Sequence, residues 1–140
     1  MKTSIIKLMA ILSFLPIGIG HTQELIPVSE YYFGSYSLVT IFIQGQYAYL
    51  GKNDGLEILN ISNPYAPRSV SIYESTRISD IKVAGDYAYI ASEESFYILD
   101  ISSPQTPTLR GSYDMRISPG RKFIIYSHYA YIANAWGNID

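Results

Sequence analysis

Residues 41–73 read IFIQGQYAYLGKNDGLEILNISNPYAPRSVSIY, and residues 81–113 read IKVAGDYAYIASEESFYILDISSPQTPTLRGSY. The two stretches align without a gap at an offset of 40 residues, and the Tyr-Ala-Tyr and Pro-x-x-Pro elements recur at that offset. A third copy begins at Tyr129-Ala130-Tyr131-Ile132-Ala133. A fixed period of this size is typical of repeat proteins in which each copy is one supersecondary unit.

Each copy is predicted to fold as four short antiparallel strands. In the second copy, apolar segments without helical spacing alternate with turn residues, which predicts strands at 81–83, 87–91, 96–99 and 109–113. Gly45 and Gly85 are expected to adopt positive φ in the first hairpin of each copy, and Asn53-Asp54-Gly55 is a strong signal for the second hairpin. The prolines of the long connection cannot donate to a sheet ladder, so they end the strands there.

Both faces of each predicted sheet are apolar. In the strand at residues 87–91, the tyrosines lie on one face, and the alanine and isoleucine between them lie on the other. A sheet of this kind must be covered on both sides, so we expect the sheets to stack as the blades of an all-β, β-propeller-type fold. The chain holds two complete blades and a partial one, as an open arc or a propeller fragment. A β-sandwich is the alternative, but it does not require a strict repeat of turns.

The first twenty residues are predicted to be a secretory signal peptide. Lys2 and Lys7 precede a mostly apolar run at residues 8–19, and small residues stand before a cleavage point between Gly20 and His21. An uncleaved membrane anchor is the alternative, but the run is shorter than the roughly 20 residues that span a bilayer and contains a proline. We therefore expect a secreted, periplasmic or cell-surface protein with no stable membrane span after cleavage.

The predicted organisation is a signal peptide at 1–20, an N-terminal segment at 21–40, blades at 41–76 and 77–116, and a partial blade at 117–140. Phe33-Gly34-Ser35-Tyr36 resembles the last strand of the second copy, which predicts a lone outer strand of the kind that closes a propeller. Two whole blades leave apolar faces and an unpaired edge. We therefore expect a fragment of a longer protein or one piece of an assembly, completed by further blades in cis or by self-association in trans.

The composition argues against a nucleic-acid partner, a disulfide bond and a metal or cofactor site. Without the two lysines of residues 1–20, the chain keeps 8 of its 10 basic residues against 12 acidic ones, a net charge of −4, which argues against nucleic acid. There is no cysteine, so no disulfide can stabilise the domain. The two histidines, His21 and His128, lie in no metal-ligand or catalytic-triad pattern, and we expect no cofactor and no metal.

Two segments resemble the LVIVD repeat. Leu56-Glu57-Ile58-Leu59-Asn60 and Phe96-Tyr97-Ile98-Leu99-Asp100 are each followed by Ile-Ser-x-Pro-x-x-Pro and preceded by Gly-x-Tyr-Ala-Tyr. Asn60 and Phe96 depart conservatively from the commonest residues of that repeat. The resemblance implies a bacterial or archaeal secreted or cell-surface β-propeller, and it brings no catalytic residues.

Other motifs are explained by structure rather than chemistry. Asn53-Asp54-Gly55 lacks the carboxylate series of a calcium loop, and Glu93-Glu94 are adjacent turn residues that point apart rather than an acid pair. Asn60-Ile61-Ser62 is formally a glycosylation sequon at a strand end. The tyrosines could line a sugar-binding face, but their fixed place in the repeat favours core packing.

A ligand is expected at one end of the blades. In a four-stranded meander the second and fourth connections lie together, and here their sequences vary between the copies, as is usual for recognition loops on a repeated scaffold. The candidate contact residues in these loops are Lys52, Asn53, Asp54, Arg77, Glu93, Arg116, Arg121 and Trp136. We expect a non-catalytic binding or surface-interaction module for a protein or surface glycan. The alternative is a fragment of a propeller hydrolase or lyase whose catalytic blades are missing.

Overall fold

The computed structural model describes residues 5–11, 25–32, 38–115 and 122–133, and the part of the chain that it describes is all-β. Its strands are β1 (Ile5–Ile11), β2 (Leu25–Tyr32), β3 (Leu38–Gln44), β4 (Tyr47–Lys52), β5 (Gly55–Asn60), β6 (Arg68–Glu74), β7 (Ile78–Ala84), β8 (Tyr87–Ser92), β9 (Ser95–Asp100), β10 (Thr108–Asp114), β11 (Lys122–Tyr126) and β12 (Tyr129–Ala133). Within these ranges no helix is long and apolar enough to cross a membrane.

Each sequence copy forms one four-stranded antiparallel sheet. The first sheet has the strand order β3-β4-β5-β6 and the second has β7-β8-β9-β10, while β11 and β12 form a two-stranded third sheet. The prediction of two complete blades and a partial one is confirmed. The first strands begin at Leu38 and Ile78, each three residues before the predicted strand, because a bulge lets the ladder continue past Thr40 and Asp80.

The sheets stack face to face in an open arc. We call the face that carries Tyr49, Tyr89 or Tyr131 the forward face of its sheet, and the opposite face the backward face. The forward face of the first sheet packs on the backward face of the second in one continuous buried core, which includes Leu56 and Ile90. The forward face of the second sheet packs on the third, and β7 lies between β3 and β11. Both faces of the second sheet are therefore covered at β7, β8 and β9, as the apolar pattern predicts, while β10 stays exposed.

The backward face of the first sheet is covered by a different element at β4 and β5, whereas Ile43 of β3 and Ile72 of β6 on the same face are more than half exposed. Tyr31 of β2 packs there against the cluster that contains Leu50 and Leu59. β2 pairs antiparallel with β1, whose residues fall within the predicted signal peptide, and cleavage of that peptide stays a prediction. The outer strand predicted at residues 33–36 lies outside the described residues.

The first hairpin turns confirm the glycine prediction. Gly45 and Gly85 both have φ 58°, and the third copy carries Ser127 at the equivalent place with φ 55°. A serine in this left-handed region is strained because its Cβ approaches the following carbonyl.

Replacing Ser127 with glycine is expected to stabilise the chain by about 0.5–1 kcal/mol. Relief of roughly 1–2 kcal/mol of backbone strain exceeds the entropy that glycine adds to the unfolded state. Urea unfolding followed by circular dichroism measures the difference. Gly85→Ser is the matched control in the second copy, where a Cβ would meet nothing within 4 Å. Its free energy of unfolding should therefore fall by a similar amount. A Ser127→Gly variant that is less stable than wild type would contradict the inference that the backbone at Ser127 is strained.

The long connections at the other end of the sheets begin with a side-chain cap. Asn60 Oδ1 accepts the Ser62 N–H at 2.8 Å, and Asp100 Oδ1 accepts the Ser102 N–H at 2.9 Å, as Asn and Asp side chains commonly do two residues along a turn. Asp100 Oδ2 also accepts from Arg110 Nη2 at 2.6 Å. The hydrogen bonds from Ser102, followed by the one from Arg110, lower the pKa of Asp100 from 3.8 to about 2.

Acid is therefore expected to lower the stability of the folded chain by protonating Asp100. Because the pKa of Asp100 is lower in the folded chain, this carboxylate stabilises the folded state at pH values above its unfolded pKa near 4. That stabilisation is lost as the pH falls toward 2. Asp100→Asn keeps the cap, as Asn60 shows, but loses the charge. The difference in Tm between wild type and Asp100→Asn should thus shrink between pH 5 and about pH 2. A difference that stays constant over this range would refute the assignment.

Candidate functional site

The candidate site lies at the end of the stack where the second and fourth connections meet. We call this the variable end and define it by the second turn of the first sheet (residues 53–54), the connection between the sheets (residues 75–77) and the second turn of the second sheet (residues 93–94). Backbone bonds hold these segments. The Ser75 N–H donates to the Asp54 carbonyl at 3.2 Å, and the Met115 N–H donates to the Glu94 carbonyl at 2.8 Å in the second sheet.

Arg77 joins the two variable turns. Its Nε donates to Asn53 Oδ1 at 3.2 Å, and its guanidinium lies 3.6 Å from Glu93 Oε1. The Glu93 N–H donates to the Arg77 carbonyl at 2.9 Å. The side chains of Arg77 and Glu93 keep 40% and 46% of their surface exposed, so they remain accessible to a ligand while their positions are fixed. Three residues that the sequence places at the same end of the blades thus contact one another and form one surface.

Lys52 does not belong to that surface. Its side chain is 5% exposed on the backward face of the first sheet, where Nζ lies 3.1 Å from Glu57 Oε2. Asp54 Oδ1 is 3.6 Å from the same nitrogen. Tyr31 completes the group by donating its hydroxyl to Glu57 Oε1 at 3.0 Å, and burial together with Glu57 raises the pKa of Tyr31. Lys52 is therefore part of a buried group that Glu57 links to Tyr31 of β2, while Asp54 stays 37% exposed at the edge of that group.

A second charged cluster was not anticipated from sequence. Asp80 is buried between the second and third sheets, where its carboxylate accepts from Lys82 at 3.1 Å, from Lys122 at 3.4 Å and from the Phe123 N–H at 3.3 Å. Thr40, Asp80 and Lys122 occupy the same place in the three copies. This equivalence is the sequence signal that could have predicted the contact between Asp80 and Lys122, because neighbouring blades bring equivalent positions of their first strands together.

A groove of about 280 Å³ opens beside the variable end, between the outer strands of the first two sheets. Tyr97 donates its hydroxyl to Ser75 Oγ at 2.8 Å, and its ring lies 6.1 Å from that of Tyr73. Burial raises the pKa of Tyr97 to about 12, so the hydroxyl stays protonated at neutral pH. Glu74 and Glu94 also line the groove. The groove can offer carboxylates, hydroxyls and aromatic surface to a ligand.

Three candidate contact residues cannot be placed at the site, because Arg116, Arg121 and Trp136 lie outside the described residues, as does His21. In the described ranges no group of three or more His, Cys, Asp or Glu residues could hold a metal ion. The variable end can therefore be described as a surface for hydrogen bonds and ion pairs, built around Arg77.

Comparison with known proteins gives one match. A family model described as the LVIVD repeat matches residues 39–75 and residues 77–115. Each matched range corresponds to one four-stranded sheet, from the first residues of β3 or β7 to the end of β6 or β10. Searches of curated proteins and of solved structures found no match.

Proposed function

Because the chain belongs to the LVIVD repeat family, we propose that it is an exported, non-catalytic binding module that contacts a protein or a surface glycan through its variable end. The observation that carries the proposal is the bridge from Arg77 to Asn53 and Glu93. It holds the two second turns, whose sequences differ between copies, as one ordered polar surface. Recognition residues are commonly found in such loops on a rigid repeated scaffold.

The chemistry of this surface suits a polar partner. Arg77 can form bidentate bonds with carboxylates, Glu93 accepts from hydroxyl or ammonium groups, and Asn53 can both donate and accept. The pairing within the cluster also limits the side-chain entropy that is lost on binding.

Binding is tested with the labelled chain on a panel of immobilised polysaccharides (peptidoglycan, chitin, cellulose and mannan) and surface proteins (collagen and fibronectin). We expect saturable binding to at least one member, reduced tenfold or more in the triple variant Asn53→Ala/Arg77→Ala/Glu93→Ala. Gln105→Ala/Thr106→Ala at the opposite end of the second sheet is the matched control and should bind as wild type does. Equal binding by the triple variant would exclude the variable end.

Export is supported by the charged start and apolar run of residues 1–20. Expression of the full chain in a bacterial host, followed by N-terminal sequencing of the extracytoplasmic product, should give a protein that begins at His21. An uncleaved cytoplasmic product would overturn this part of the proposal.

A further inference from the structure

A second groove, of about 410 Å³, opens at the end of the first sheet that lies opposite the variable end. It lies between the long connection at residues 61–67 and the start of β6. Asn60, Ser62, Asn63 and Arg68 line it, and the other lining residues are an alanine, a serine and a valine, so none of them is acidic. The volume falls within the roughly 300–1,000 Å³ of small-ligand sites, and a ligand of monosaccharide size fits.

The groove is rich in hydrogen-bond donors. Asn60 Oδ1 accepts the Ser62 N–H at 2.8 Å, and Asn63 Oδ1 accepts the Tyr65 N–H at 3.0 Å. Because backbone amides hold both amide oxygens, each asparagine keeps its Nδ2 group as a donor. The exposed Arg68 adds a guanidinium with five N–H donors. The groove therefore presents positive charge and donors to a ligand.

The second copy shows which group donors at this place of the repeat bind. There the Asp100 carboxylate accepts the Ser102 N–H at 2.9 Å, the Ser102 hydroxyl at 2.6 Å and Arg110 Nη2 at 2.6 Å. In the first copy Asn60 stands in the place of Asp100, Ser62 keeps the serine, and an arginine stands two residues earlier than the equivalent of Arg110. The first copy thus has the same kinds of donor without the carboxylate that they bind in the second.

We propose that this groove binds a sugar that carries a carboxylate, such as a uronic acid residue of a polysaccharide. Arg68 pairs with the carboxylate through two parallel N–H···O bonds, as arginine does with planar acids. The site goes beyond the proposed function, because it lies at the other end of the first sheet and uses none of the residues of the variable end.

The groups around Arg68 favour a sugar over an acidic peptide. Ser62 and Asn63 can both donate and accept, which matches ring hydroxyl groups that a glutamate or aspartate side chain lacks. Tyr65 stands on the connection that forms one wall of the groove, and it is 75% exposed. Its ring gives the next sugar of a chain a flat surface with a polar tip.

Titration of the isotope-labelled chain, as isolated from its host, with a trisaccharide of galacturonic acid tests the proposal by NMR. We expect a dissociation constant in the millimolar range, because the ion pair to Arg68 is exposed to solvent. The amide signals that move should be those of residues 60–70. The methyl ester of the same trisaccharide lacks only the charge, and a tripeptide of glutamate lacks the sugar ring. Both should bind at least tenfold more weakly.

Two variants test the site from the side of the protein. Arg68→Thr introduces the residue of the second copy and should weaken binding of the trisaccharide at least tenfold. Asn60→Asp supplies the carboxylate within the chain, as Asp100 does in the second copy, and should weaken binding by a similar factor. Arg110→Thr removes the same charge from the second sheet and is the matched control, which should bind as wild type does. Circular dichroism should show that all three variants keep their sheets.

Several outcomes would overturn the site. Equal binding of the acid and its methyl ester would show that the carboxylate is not recognised, and equal losses in Arg68→Thr and Arg110→Thr would show a general effect of charge. Wild-type affinity in Asn60→Asp would contradict the comparison between the copies. A glutamate tripeptide that binds as tightly as the trisaccharide would overturn the assignment to a sugar.

Discussion

Gly55→Ala is expected to destabilise the chain by about 3–5 kcal/mol, a large share of the roughly 5–15 kcal/mol of a typical domain. Gly55 opens β5 with φ 132°, a conformation that L side chains rarely adopt. A Cβ built there would lie 2.2 Å from the Tyr73 carbonyl oxygen and 2.8 Å from the Ser75 nitrogen. The first of these backbone atoms lies near the end of β6 and the second in the connection that leads to Arg77, so the variable end must deform to accept a methyl group.

Urea unfolding of Gly55→Ala measures this effect, and Gly45→Ala is the matched control. Gly45 also has positive φ, but a Cβ there would meet nothing within 4 Å, so only the backbone cost of about 1 kcal/mol remains. Ser95→Ala, at the equivalent place in the second sheet, should change stability by less than Gly55→Ala. Equal losses at Gly45 and Gly55 would show that the close approach to Tyr73 is unimportant.

Glu57→Leu is expected to cost about 3–5 kcal/mol because it removes the closest carboxylate from a buried ammonium. Lys52 and Glu57 are both about 5% exposed and 3.1 Å apart, and Tyr31 loses its acceptor in the same substitution. The double variant Lys52→Met/Glu57→Leu replaces the pair by apolar side chains of similar volume and should recover most of the loss.

Thermal and urea unfolding of Glu57→Leu, Lys52→Met and the double variant measure the coupling between Lys52 and Glu57. Glu93→Ala is the control for an exposed ion pair and should lose no more than about 0.5–1 kcal/mol. If the double variant is as unstable as Glu57→Leu, the loss of stability in Glu57→Leu does not come from the unpaired charge of Lys52.

The strands and turns could be predicted because their signals are local. Alternating or continuous apolar residues define the strands, and Gly45, Gly85 and the Asn53-Asp54-Gly55 turn have conformational preferences that depend on few neighbours. The stacking of the sheets also followed from sequence, since two apolar faces both need cover. The early starts at Leu38 and Ile78 were missed because a bulge interrupts the alternation just before the predicted strands.

The candidate site was predicted in part. Asn53, Arg77 and Glu93 were placed at one end by strand topology alone, and the structure brings them together. Lys52 was assigned to a loop surface because a charged residue beside a turn is usually solvated. Its partner Glu57 stands on the next strand and Tyr31 comes from β2, so the buried pair depends on distant contacts that sequence spacing does not reveal.

The ion pair between Asp80 and Lys122 distinguishes copies that are otherwise nearly alike. Since Thr40, Asp80 and Lys122 occupy one equivalent position, only the second and third units present opposite charges to each other. Exchanging these units within the gene would place the lysine unit directly after the threonine unit and the aspartate unit after that, so the aspartate and lysine could no longer meet across the same two faces. The repeats are consequently not interchangeable modules, and a chain rebuilt from a single averaged unit would lose the ion pair between Asp80 and Lys122.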